Sequence, residues 1–165
     1  SNFSSSESAM DILGMILGDG IGSRLQKKLI TESQLVQDVY VGHYSQELAG
    51  EFEISATLTE EKNFDNVYNK ILSEITLLSE TNVNENEISI AKNKFRLSIN
   101  RQIEKSGGFG GIADTLNYIN IFGENPSDIN KILNDFNNVS QEKIATSAKS
   151  LVDSPHISLY YKIKK

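Results

Sequence analysis

The chain has 165 residues, 38% of them hydrophobic, enough for one domain with a core of ordinary size. Sixteen Lys plus Arg against twenty-two Asp plus Glu leave a formal net charge of -6, so no broad positive field is available to phosphate backbones and nucleic acid is not an expected partner. Cysteine is absent, which rules out disulfides, thiolate chemistry and cysteine-ligated zinc or iron–sulfur centres. No run of eighteen apolar residues occurs, so no segment is expected to span a membrane and a soluble chain is expected.

Residues 1–8 are expected to be a disordered or vector-derived start, and 9–165 a single domain. Ala9, Ile12, Leu13, Ile16 and Leu17 recur at helical spacing and predict a first helix, which Gly18-Asp19-Gly20 breaks. A second short helix is predicted from Gly22 or Ser23 to Glu32, with Ser23 as N-cap and Leu25, Leu29 and Ile30 inward. Between Leu35 and Leu58 the period changes to two. Val39, Val41 and His43 alternate with Tyr40 and Tyr44, and Phe52, Ile54, Ala56 and Leu58 alternate with Glu51, Glu53 and Ser55. This predicts an antiparallel hairpin with one polar or otherwise covered face.

Phe64, Val67, Tyr68, Ile71, Leu72, Ile75 and Leu78 form one stripe and predict a long helix to about Ser79. The next helix starts near Asn84, with Glu87 completing a capping box. It carries Ile88, Ala91, Phe95, Leu97, Ile99 and Ile103 and ends at Gly107-Gly108. Shorter helices are predicted from about Gly110 to Ile121, from Pro126 to Phe136 and from Ser140 to Val152. The β-forming stretch from His156 to Ile163 is expected to be a strand that rejoins the sheet. Together these elements define an α+β fold, an antiparallel-rich sheet backed by helices.

Catalytic chemistry finds little support in the residues. His43 and His156 are far apart, and neither sits in a zinc-ligand spacing, so each is read as a surface or sheet histidine and no metal ligand is assigned. No Gly-x-Ser-x-Gly elbow presents a serine. The glycines between Gly107 and Gly111 follow a helix and lack the Lys-Ser/Thr of a phosphate loop, so they read as helix termination or a hinge. Glu60-Glu61 and Glu85 with Glu87 read as helix-start carboxylates rather than an acid/base pair.

Several phrases in order carry a family resemblance. Ile12-Leu13-Gly14-Met15-Ile16-Leu17-Gly18-Asp19-Gly20, then Ser23-Arg24-Leu25 and Lys28-Leu29-Ile30, resemble the signature of the second domain type of the pitrilysin/insulinase family of zinc peptidases. Val36-Gln37-Asp38-Val39, the strand from Gly50 to Ala56, Glu87-Ile88 with Ala91-Lys92-Asn93, and Val139-Ser140-Gln141-Glu142-Lys143 fit later phrases. Gly108 to Tyr118 is the most specific, and is similar to bacterial tandem-domain members. The resemblance runs from Ala9 to Tyr161. It implies a C-terminal, non-zinc-binding domain with a LuxS and mitochondrial processing peptidase-like half-domain fold, truncated so that its first strands are missing.

The resemblance further implies that zinc sits in the N-terminal, zinc-binding domain of the same chain or a partner subunit, because the His-x-x-Glu-His motif has no counterpart here. This domain would close the chamber and help to hold extended peptide substrates; the parent would be a metallopeptidase, and this domain alone would be inactive. Tyr40, His43 and Tyr44 are the candidate substrate contacts, with no catalytic residue and no metal ligand assigned. The same resemblance allows a structural or assembly subunit without peptidase activity. An exported, periplasmic location is suggested by the bacterial members, and a truncated sheet would leave an edge open to self-association.

Overall fold

The computed structural model describes residues 5–45, 50–80, 83–105, 109–122, 125 and 129–162. The first helix, α1 (Ser5–Gly18), starts within the segment expected to be a disordered lead; Ser8 is already buried, because the apolar stripe behind it is central to the core. Ala9, Ile12, Leu13, Ile16 and Leu17 are all buried, as the spacing predicts. α1 packs against the hairpin on one side and against α3, α5 and α6 on the other.

The second predicted helix is a single π-helical stretch, Gln26–Glu32, entered through Arg24 and Leu25. Ser23 does not act as the expected side-chain cap. Its Oγ is buried without a hydrogen-bond partner, and the backbone does the work: the Ser23 N–H donates to the Gly20 carbonyl (2.9 Å) and the Lys27 N–H donates to the Ser23 carbonyl (3.0 Å). Gly20 turns the chain here at φ +82°, a conformation that favours glycine.

Strands β1 (Val36–Ser45) and β2 (Gly50–Leu58) form the antiparallel hairpin that the period-two pattern predicts, with a register shift between Val36 and Asp38. Residues 46–49, between the two strands, lie outside the described residues. A short 3-10 turn (Glu61–Asn63) leads into α2 (Phe64–Glu80), whose Val67, Ile75 and Leu78 are buried against α6.

α3 (Glu85–Glu104) opens with the predicted capping box. The Asn84 side chain accepts from the Asn86 N–H at 2.8 Å, and Glu87 Oε2 accepts from the Asn84 N–H at 3.3 Å. Its apolar stripe is buried only in the first half. Ile88 and Ala91 are in the core, and Phe95 stacks on Phe136 at 3.3 Å, whereas Leu97 and Ile103 are exposed. The second half of α3 outruns the core. The helix ends at Glu104, and Gly107-Gly108 lie outside the described residues.

The remaining helices are α4 (Ile112–Phe122), α5 (Ile129–Asn137) and α6 (Gln141–Asp153); Pro126 lies outside the described residues. Ser140 caps α6 as predicted, accepting from the Lys143 N–H at 3.3 Å.

The last expectation is corrected. Residues 155–162 are not a strand, and among the described residues the sheet has two strands only. The segment lies along α2 instead. Tyr68 Oη and His156 Nε2 are 2.6 Å apart, Phe64 and Tyr160 have ring centroids 5.0 Å apart, and Lys162 pairs with Glu61 at 2.5 Å. The alternation is present, but it serves contacts with a helix.

Candidate functional site

The hairpin presents two chemically different faces. In an antiparallel pair, directly opposed residues share a face; here Asp38 faces Thr57, Tyr40 faces Ser55, Gly42 faces Glu53 and Tyr44 faces Glu51. Apart from Gly42 these residues are exposed, and they form the side turned away from α1. Val39, Val41, His43, Phe52, Ile54 and Ala56 form the side turned towards it.

On the outward face Tyr40 and Tyr44 are 48% and 42% exposed, with their hydroxyls 2.6 Å apart. Gly42 makes that pairing possible. A Cβ at Gly42 would lie 2.6 Å from Tyr40 Oη and 2.9 Å from Tyr44 Cε2, so both rings lie across the bare glycine and bury it. The Tyr44 phenol is pushed up to about 12, first by its hydrogen bond with Tyr40, with Glu53 and Glu51 acting in the same direction. It therefore stays protonated at neutral pH. Neither strand carries a Lys or Arg, so the carboxylates of Asp38, Glu51 and Glu53 are unbalanced within the hairpin.

His43 belongs to the other face. Its Nδ1 lies 2.7 Å from Asp11 Oδ1 on α1, and its ring tilts against Phe52 at 6.4 Å. The hydrogen bond to Asp11 raises the His43 pKa above its ordinary value, with partial burial opposing. The structure thus brings Tyr40 and Tyr44 together and separates His43 from them.

Zinc does not fit the described residues. His43 meets one carboxylate, and His156 meets a phenol on α2. Among the described residues no group of three His, Cys, Asp or Glu side chains converges.

The sequence reading missed a different set of side chains. Arg24 makes a two-pronged bond to Glu87, Nε to Oε1 at 2.9 Å and Nη2 to Oε2 at 2.8 Å, across 63 residues. Glu74, buried on α2, pairs with Lys28 at 3.2 Å and approaches Arg24 at 3.9 Å. Lys92 Nζ donates to the Asn137 and Val139 carbonyls at 2.7 Å each, tying α3 to the end of α5. Glu87 was legible as a cap, but nothing in the local pattern pairs it with Arg24. These are structural clasps, and several lie in the phrases that carry the family resemblance.

An α+β domain with these clasps and no metal-binding cluster among its described residues has the architecture of solved peptidase domains. It is similar to a protease from Helicobacter pylori, with 15% identity over 89% of this chain and 34% of that one and a TM-score of 0.75. It is also similar to the peptidase M16 inactive domain from Pseudomonas fluorescens, with 17% identity, 85% and 32% coverage and a TM-score of 0.71. A third neighbour is the inactive peptidase domain of a candidate zinc protease from Bordetella parapertussis, with 15% identity, 88% and 76% coverage and a TM-score of 0.74. The chain thus spans about a third of the first two structures, and at these identities the likeness shows the fold. No curated protein matches. Family is shown by sequence: residues 4–95 match the model described as the peptidase M16 inactive domain, and the chain belongs to that family. The pitrilysin/insulinase resemblance and the α+β fold both hold.

Proposed function

We propose that this chain is the non-catalytic half-domain of a zinc metallopeptidase, and that the outward hairpin face helps to close a chamber and to hold extended peptides that a separate, zinc-bearing domain cuts. The observation that carries this reading is the exposed pairing of Tyr40 and Tyr44 on an otherwise polar sheet face, in a chain of an inactive-domain family. Aromatic rings with hydroxyl edges grip extended backbone and side chains at little entropic cost. Zinc, its water and the general base would come from the N-terminal domain of the same chain or from a partner subunit. Residues 9–165 would act as one such half-domain. The edges of the hairpin are where that partner, or a second copy, would pair, and the setting would be periplasmic. No helix among the described residues is long and apolar enough to cross a membrane.

The test is zinc content and cleavage of a quenched peptide library, measured on this chain alone and mixed with the zinc-bearing domain of its own gene. Activity and metal are expected only in the mixture, with KM raised by Tyr40→Ala and Tyr44→Ala. A mixture that stays metal-free and inert would replace this reading with that of a structural or assembly subunit.

A further inference from the structure

The outward hairpin face has a charge and a surface chemistry that discriminate among peptides. Asp38, Glu51 and Glu53 lie on it, and neither strand carries a Lys or Arg, while His43 lies on the opposite face with Asp11. Same-face positions two residues apart on one strand are about 7 Å apart, so Glu51 and Glu53 bracket a space that one extended side chain can enter. Tyr44 faces Glu51 directly, and Gly42, crossed by both tyrosine rings, faces Glu53. The two hydroxyls bond each other, the rings cover Gly42 on one side, and both side chains stay partly exposed, at 48% and 42%.

Resting on the reading that this face holds peptide, we infer that it selects segments carrying a Lys or Arg side chain, which lies on the Tyr40–Tyr44 rings with its charge between Glu51 and Glu53. A cation gains from the ring quadrupole and from the carboxylates together. An acidic segment meets three like charges. An apolar segment strips water from Glu51 and Glu53 and returns nothing. The formal net charge of -6 draws cationic peptides towards the chain as a whole. The hairpin that carries the pair is backed by α1 on its other face, and the hydroxyl–hydroxyl bond holds the two rings together.

The experiment is fluorescence anisotropy of labelled extended peptides on the full-length protein that carries this chain. The peptides are identical except for one central Lys, Gln or Glu. The Lys peptide is expected to bind about tenfold more tightly than the Gln peptide, the combined effect of exposed charge pairs and one ring contact, and the Glu peptide more weakly still. The preference should shrink as salt is raised. Glu51→Gln with Glu53→Gln should cut the Lys-over-Gln preference to about threefold, the share of the ring contact alone; both positions are exposed, and circular dichroism checks that the fold is kept. A preference that this double substitution leaves undiminished, or no preference at all, overturns the inference. If the Gln peptide binds and is weakened by Tyr40→Ala with Tyr44→Ala while Lys brings no gain, charge selection fails and the peptide-holding face stands. If no peptide binds, both readings fail.

Discussion

The two faces of the β1–β2 hairpin use alternate residues of the same strands for different ends. Towards α1, Val39 is buried, Val41, Phe52 and Ile54 pack on the core, and His43 is bonded to Asp11. Away from it, Tyr40 and Tyr44 bond each other while Glu51 and Glu53 point into solvent. One face has its partners within the chain, and the other keeps its chemistry available. Stability and recognition are therefore separable by single substitutions, and four measurements can break or sharpen that division.

The largest effect is expected at Gly18. A Cβ there would lie 2.5 Å from Val41 Cβ and 3.1 Å from the Val41 backbone nitrogen, neither of which is the far end of a flexible side chain. Gly18→Ala should cost about 3 kcal/mol in denaturant unfolding. Gly14 faces the same hairpin with only ordinary contacts, Phe52 on β2 at 3.7 Å and Val41 on β1 at 3.8 Å, so Gly14→Ala should be neutral or stabilising by about 0.5 kcal/mol. Equal effects at the two positions would mean that α1 does not press on β1 at its C-terminal end.

Next comes Arg24→Ala, which strands Glu87 and weakens the surroundings of buried Glu74, at about 2 kcal/mol. A double-mutant cycle with Glu87→Gln should show strong coupling, and additive losses would dissolve the clasp.

A smaller effect is expected on the inward face at His43. Its raised pKa means that the stabilisation from the Asp11 pair is complete below the ordinary histidine range and is lost as pH rises through the folded value. Unfolding free energy should fall by about 1 kcal/mol as pH rises above about 6.5, and Asp11→Asn should flatten that slope.

The smallest stability effect belongs to the outward face. Tyr40→Phe and Tyr44→Phe should each change stability by less than about 0.5 kcal/mol while altering peptide binding. A loss as large as that of Arg24→Ala would make the pair a structural device and would remove the distinction between the faces.

Much of this was legible in the sequence because it depends on period alone. The α1 stripe, the hairpin alternation and the Asn84–Glu87 cap are local patterns, and each formed as read. Period does not say where a core ends, and so Leu97 and Ile103 look like interior residues and are exposed. Nor does β-propensity name a partner: His156 to Lys162 alternates as a strand would, yet it lies on α2. The three candidate contacts fell on one strand, but alternation places His43 behind the sheet and the tyrosines in front. That division was present in the odd and even positions, whereas the Asp11 partner was not. The Arg24–Glu87 clasp joins positions too far apart for any local rule.

Glu87 holds two obligations with one carboxylate. Oε2 accepts both the Arg24 guanidinium and the Asn84 N–H, so the group that starts α3 also anchors the segment leading out of α1. The hydrogen bond from Arg24 holds its pKa below the ordinary glutamate value, so its contribution is present above that value and disappears as pH falls through the depressed one. A single proton then releases a helix start and a long-range tether together. In acid the front of α3 and the Arg24 turn should let go as one unit, a shared hinge of failure located far from either face of the hairpin.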